Sequence, residues 1–221
     1  MNRAVKQILW VALFAIAMAY LESAVVVYLR RLYGISDLML HVPLFDPQIG
    51  AIELGRELAT LVMLLAVGWA AGKKFQSRFG FFIFAFGVWD IFYYIWLKVF
   101  IDWPGSILDP DLLFLIPLPW WGPVLAPVLI ASLMVAGGAL AVLGVERGDI
   151  IRLKPTEWVI LIVGNLVMLY TFMADSLAIL PADSQTLSLL RPTNFHWLIY
   201  LFGLLLAIFS VWRAVMPFIK H

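Results

Sequence analysis

The sequence predicts an all-α protein: a polytopic transmembrane helical bundle of six spans, both termini cytoplasmic, forming a single transmembrane domain over residues 1–221. Three observations predict it. Of the 221 residues, 64% are hydrophobic and 13% charged, where a soluble domain carries roughly 45–50% and about 25%. The mean hydropathy is +0.98. The apolar residues also gather into six runs, each long enough to cross about 30 Å of hydrocarbon. A soluble domain, a disordered chain and a coiled coil are all excluded by this composition.

The first run covers 7–30. It follows Arg3 and Lys6 and contains Ala17-Met18-Ala19, which has the look of a signal-peptide cleavage site. Its apolar character continues to Leu29, so it reads as a retained helix. The other spans are expected at 52–72, 80–101, 121–144, 157–180 and 196–217. Between the first two lies a long loop, 33–51, with Asp37, His41, Pro43, Asp46 and Pro47. The connection 102–120 contains Trp103-Pro104-Gly105, Asp109-Pro110-Asp111 and the run from Leu113 to Trp121. That stretch is too apolar for a solvated loop and too rich in proline for a helix. It is expected as a re-entrant or interfacial proline-rich segment near 107–120, shielded by protein or lining a wet cavity. Pro123 suits the first turn of the fourth helix, and Pro127 is expected to kink it. Residues 181–195 form a further outer loop. Ala15 with Ala19, and Gly137 with Ala141, mark close helix packing. Trp10, Trp69, Trp158 and Trp212 suit an interfacial belt.

Charge sets the orientation. Arg3, Lys6, Lys73, Lys74, Arg78, Arg147, Arg152, Lys154, Arg213 and Lys220 fall on one side, and Arg30, Arg31 and Arg191 on the other. The positive-inside rule places the first group, and both termini, in the cytoplasm.

Composition also removes several functions. Net charge is +1, so no broad basic surface exists for nucleic acid. Cysteine is absent, which removes disulfides, cysteine-ligated metal, iron–sulfur clusters and thiol catalysis. Of His41, His196 and His221, only His196 adjoins a span, which disfavours a b-type haem. The cofactor, if any, is unknown.

Ionisable side chains inside spans are costly and are functional candidates by default. Glu22 lies in the outer part of the first span, and Glu53, Arg56 and Glu57 at the outer end of the second. Asp90 is mid-span in the third, Asp175 in the outer third of the fifth, and His196 opens the sixth. These seven residues form the expected polar cluster. Glu53 and Glu57 are four apart and share a face, with Thr60 a turn deeper and Arg56 beside them. Asp90 and Tyr94 share a face of the third. Asn165, Met168, Phe172 and Asp175 give the fifth a partly polar face. The acids outnumber the bases, and protonation, a bound cation or the arginines Arg30 and Arg31 must make up the deficit. Lys98 is expected to snorkel to the outer surface.

Three stretches are distinctive: Trp89 to Lys98 (WDIFYYIWLK), Leu113 to Leu129 (LFLIPLPWWGPVLAPVL) and Ala19 to Gly34 (AYLESAVVVYLRRLYG). In these the chain resembles a family of bacterial polytopic inner-membrane proteins with no assigned activity. The resemblance covers most of the chain. It implies a multi-pass location in the bacterial inner (plasma) membrane and nothing about chemistry.

Three functions follow as expectations. The first is an integral membrane subunit of a larger complex, linked to electron transfer or quinone. Its carboxylate/arginine cluster in the outer half of the bilayer would serve as a proton or ion pathway or pack against other membrane or outer-face subunits. The second is a metal- or acid/base-dependent enzyme acting on a lipid at the outer leaflet. No recognised metal-ligand or nucleophile motif accompanies it. The third is a solute-binding component of an uptake transporter. The architecture alone is similar to the substrate-binding subunits of vitamin uptake systems.

Overall fold

A peptide group in hydrocarbon has no water to bond. Each long apolar run must therefore close its hydrogen bonds within itself, and it does so as a helix. The computed structural model describes residues 3–35, 47–114, 118–148, 151 and 153–219. The long helices are α1 (Arg3–Leu32), α2 (Pro47–Ala71), α3 (Phe75–Ile101), α4 (Leu125–Arg147), α5 (Pro155–Ala178) and α7 (Trp197–Ile219). A short α6 (Ser184–Leu189) lies in the connection between α5 and α7. Five of these helices, α1, α3, α4, α5 and α7, are long and apolar enough to cross a membrane. The chain is thus of a multi-pass membrane type. α2 is as long as the others but carries Glu53, Arg56 and Glu57 in its first half.

The helices alternate in direction. At one end Gln7 Nε2 of α1 donates to Ala71 O of α2 at 3.1 Å, and Gln76 Nε2 of α3 donates to Ala141 O of α4 at 3.1 Å. Ser210 Oγ of α7 donates to Glu157 O of α5 at 2.7 Å at that same end. Trp10, Trp69, Trp158 and Trp212 all point outward there, as an interfacial belt requires.

α3 is the centre of the first group, with α1, α2 and α4 packed around it. Small residues set the approach. A Cβ on Gly87 would come within 2.5 Å of Ala131 O, and one on Gly138 within 2.6 Å of Gly80 O. The crossing of α3 and α4 therefore uses Gly138. Its neighbour Gly137 has only Val211 Cγ1 of α7, at 3.9 Å, near its missing Cβ. On α1, Ala15, Ala19 and Ser23 follow one another at four-residue spacing and are fully buried. Ser23 Oγ reaches Tyr93 O at 3.0 Å, and Trp96 Nε1 of α3 donates back to Ile16 O at 3.1 Å. α5 and α7 form a second group, where a Cβ on either Gly164 or Gly203 would stand 2.7 Å from the other's carbonyl.

α1 ends where Gly34 takes φ 64. Ile35 N then bonds Arg30 O at 2.7 Å, and Gly34 N bonds Arg31 O at 3.2 Å, the paired closure of a left-handed helix cap. The expected loop at 33–51 is shorter than predicted, because α2 begins at Pro47, a residue that starts helices well. Its Asp37, His41, Pro43 and Asp46 lie outside the described residues, as do Arg152, Lys220 and His221.

The proline-rich connection holds a β-hairpin, β1 (Pro110–Phe114) and β2 (Trp120–Pro123). The strands are antiparallel, with Asp111 opposite Gly122 and Leu112 opposite Trp121. A two-stranded ribbon has only edges, so proline costs it little. Pro123 closes β2 rather than opening α4. Pro127 stands in the first turn of α4, where the backbone N–H it lacks has no partner within the helix, so no kink need follow.

The hairpin joins the two helix groups. Ser176 Oγ of α5 donates to Pro119 O at 2.6 Å, and Gly122 lies so close to Phe172 that a Cβ would meet its ring at 2.6 Å. Tyr200 of α7, fully buried, donates its hydroxyl to Ala126 O at the start of α4 at 2.6 Å.

Candidate functional site

The buried stripe of α2 is Glu53, Thr60, Leu64 and Gly68. Its lower part fits against α3, where Gly68 lies against Phe82. Its upper part is polar and turns to α1. There Glu22 lies on the same buried face as Ala15, Met18 and Ala19. Arg56 pairs with Glu22 through Nη1 and with Glu53 Oε2 through Nε at 2.8 Å. Thr60 Oγ1 donates to the other oxygen of Glu22. One guanidinium thus serves two carboxylates, and Glu22 has both oxygens bonded. A carboxylate carried this deep requires that degree of satisfaction.

A second polar group lies at the outer end. Asp111 on β1 is 4% exposed and accepts from the Tyr94 hydroxyl at 3.1 Å. Arg30 Nη2, at the end of α1, stands 3.8 Å from its other oxygen, and the same guanidinium lies 4.3 Å over the Trp103 ring. Burial pushes the Asp111 carboxyl above the usual carboxylate range, while Arg30, the Tyr94 hydroxyl and the Leu112 N–H pull the other way.

Between these groups is a cavity of about 190 Å³. Its polar wall is Glu22, Arg56, Glu57, Thr60, Asp90, Tyr93, Tyr94 and Asp111. Its apolar wall runs from Phe86 and Trp89 of α3 across the hairpin to α4 and to Phe172 of α5. Asp90 and Glu57 differ from the other acids. Among the described residues neither makes a hydrogen bond or ion pair, and both face the cavity.

The seven sequence-predicted residues therefore divide. Glu22, Glu53 and Arg56 are bonded together, and Glu57 and Asp90 line a cavity with Glu22 and Arg56. Asp175 and His196 are elsewhere. They line a separate cavity of about 230 Å³ with Trp121, Thr193 and Trp197. Asp175 accepts from Thr193 N at 2.9 Å and Thr193 Oγ1 at 2.6 Å, which fastens the segment leading into α7. Asn165 is exposed and donates to Leu161 O of its own helix, so the buried face of α5 is Gly164, Met168, Thr171, Phe172 and Ser176. Lys98 points outward and bonds Asp102 Oδ1 at 2.8 Å and Pro104 O at 2.9 Å.

Sequence reasoning missed Asp111 and Trp103 as site residues. The available signal was a lone acid within an apolar hairpin, a position that demands a partner. It also missed Glu157, 3% exposed at the other end of the bundle with Arg213 at 3.6 Å.

The chemistry open to this site is limited and specific. Five acids, Glu22, Glu53, Glu57, Asp90 and Asp111, face two bases, Arg30 and Arg56. The unpartnered pair can accept a proton or a hydrogen-bond donor. Among the described residues, no three His, Asp or Glu side chains converge as a metal-holding group. Comparison with protein-family models, curated proteins and solved structures gives no match.

Proposed function

We propose that the protein is a six-span bacterial inner-membrane protein that binds a small molecule in the cavity between α1–α4 and the hairpin, as a solute-binding component of a transport system. Both termini are cytoplasmic, and the cavity lies in the outer half of the bilayer. The observation that carries this reading is the cavity itself. It is concave and mostly apolar with convergent polar groups, as small-molecule sites are, and its volume of about 190 Å³ is below the roughly 300 Å³ at which drug-sized sites begin, which restricts it to a small ligand. The orientation rests on charge: Lys6, Lys73, Lys74, Arg78, Arg147, Lys154 and Arg213 gather at the end away from the hairpin.

A second reading, the membrane subunit of a larger complex working with quinone, is favoured by α2. Ile52, Leu54, Leu58 and Val62 of that helix are exposed. They form an apolar face for lipid or for a partner helix. For the metal- or acid/base-dependent lipid enzyme no specific observation speaks: among the described residues no three His, Asp or Glu side chains converge as a metal-holding group.

Native mass spectrometry of the protein extracted from its own membranes separates these readings. The expected species is the chain with a reproducible small-molecule adduct that is lost in Ala131→Leu, which narrows the cavity. Extraction with constant partner subunits and no adduct would replace the first reading by the second.

A further inference from the structure

We propose that the cavity is built for an ammonium group carried on an apolar body about one aromatic ring in size; this rests on the small-molecule reading above. The polar wall presents two carboxylates, Asp90 and Glu57, that make no hydrogen bond or close ion pair among the described residues, Glu57 sharing only the longer-range charge of Arg56, beside acids paired directly with Arg56 and Arg30. Asp90 stands mid-helix on α3, half-buried, on the wall of the cavity. A carboxylate held there without a partner is expensive, and a ligand that donates to it removes that cost. An anion would add to an excess of negative charge. A neutral donor could bond a carboxylate but would leave the excess of negative charge in place. A bare metal ion would need a convergent ligand set, which is missing among the described residues.

The rest of the wall specifies the body. Phe86, Trp89 and Tyr93 on α3 face Phe114 and Trp120 of the hairpin across the cavity walls. Such rings accept a flat apolar group and hold a cation over their faces. The volume of about 190 Å³, room for about six waters at roughly 30 Å³ each, limits the ligand to one ring with a short side chain.

The test uses the full chain in nanodiscs of phosphatidylglycerol and three probes of one shape: 2-phenylethylammonium, 2-phenylethanol and phenylacetate. The cation is expected to bind at least about tenfold more tightly than the alcohol, since a hydrogen bond to a charged group is at stake. Phenylacetate is expected not to bind. Asp90→Asn and Glu57→Gln should each weaken the cation about tenfold and leave the alcohol unchanged, with thermal midpoints measured alongside. If Asp90→Asn unfolds, Glu57→Gln on the more open α2 carries the comparison. Equal binding of cation and alcohol, insensitive to both substitutions, overturns the ammonium assignment and leaves the small-molecule site standing. Binding of none of the three overturns both. Adding phosphatidylethanolamine identifies the source: competition with the probe makes it a lipid headgroup, and unchanged binding makes it a free solute, and either result upholds the ammonium chemistry.

Discussion

Arg56 is the residue on which most depends. It neutralises Glu22 and Glu53 at once, so its removal leaves two carboxylates within the bundle with no cation. Breaking a buried pair from one side costs about 3–5 kcal/mol. With the Arg56 side chain 24% exposed, the lower end of that range applies. Arg56→Met is expected to cost about 3 kcal/mol in detergent unfolding. The double change Arg56→Met with Glu22→Gln should recover part of it, because the orphaned charge is gone. Asp111 gives a pH test. Its folded carboxyl sits above the usual range, so the folded state favours the neutral form. That stabilisation is complete below the ordinary carboxylate pKa and is lost as pH rises through the raised value. The thermal midpoint should fall across that window in the wild type and fall less in Asp111→Asn. At this scale the sequence was only partly legible. Glu22, Arg56 and Asp90 stand out because charge within an apolar run is visible in one dimension. That Asp175 faces a different cavity is not visible there, since depth is one coordinate and helix rotation another.

Among the elements, the α3–α4 crossing makes the sharpest prediction. Gly87→Ala places a methyl 2.5 Å from Ala131 O, a backbone atom that cannot step aside. Overpacking of this kind costs about 1–3 kcal/mol. Gly137→Ala meets nothing closer than 3.9 Å and should be neutral or gain up to about 1 kcal/mol from helix propensity. Unfolding curves of the two variants, read side by side, check the packing directly. The helices themselves are legible because a long apolar run has one solution in lipid. The hairpin is not. Its prolines and tryptophans announce non-helical backbone, but strand pairing depends on register against a partner, and composition carries no register. Gly138 shows the same limit: two adjacent glycines look equal in sequence, and only the helix rotation makes one of them the contact.

For the molecule as a whole, the absence of cysteine makes orientation simple to test. Single cysteines at Ile35, Ser106 and Lys73 have no native background. A membrane-impermeant maleimide applied to intact spheroplasts should label Ile35→Cys and Ser106→Cys and spare Lys73→Cys until the membrane is opened. Labelling of Ile35→Cys and Lys73→Cys from one side would show that α2 does not cross. The two helix groups meet chiefly through the hairpin and the start of α4, and the hairpin's ladder has a mechanical consequence. Asp111 and Gly122 are direct cross-strand partners. One touches Tyr94 and Arg30; the other is pressed against Phe172 of α5. The ribbon therefore works as a short lever with one arm in each group. A slide of α5 along its axis would press on Gly122, and its cross-strand partner Asp111 is the ladder residue at the roof of the cavity.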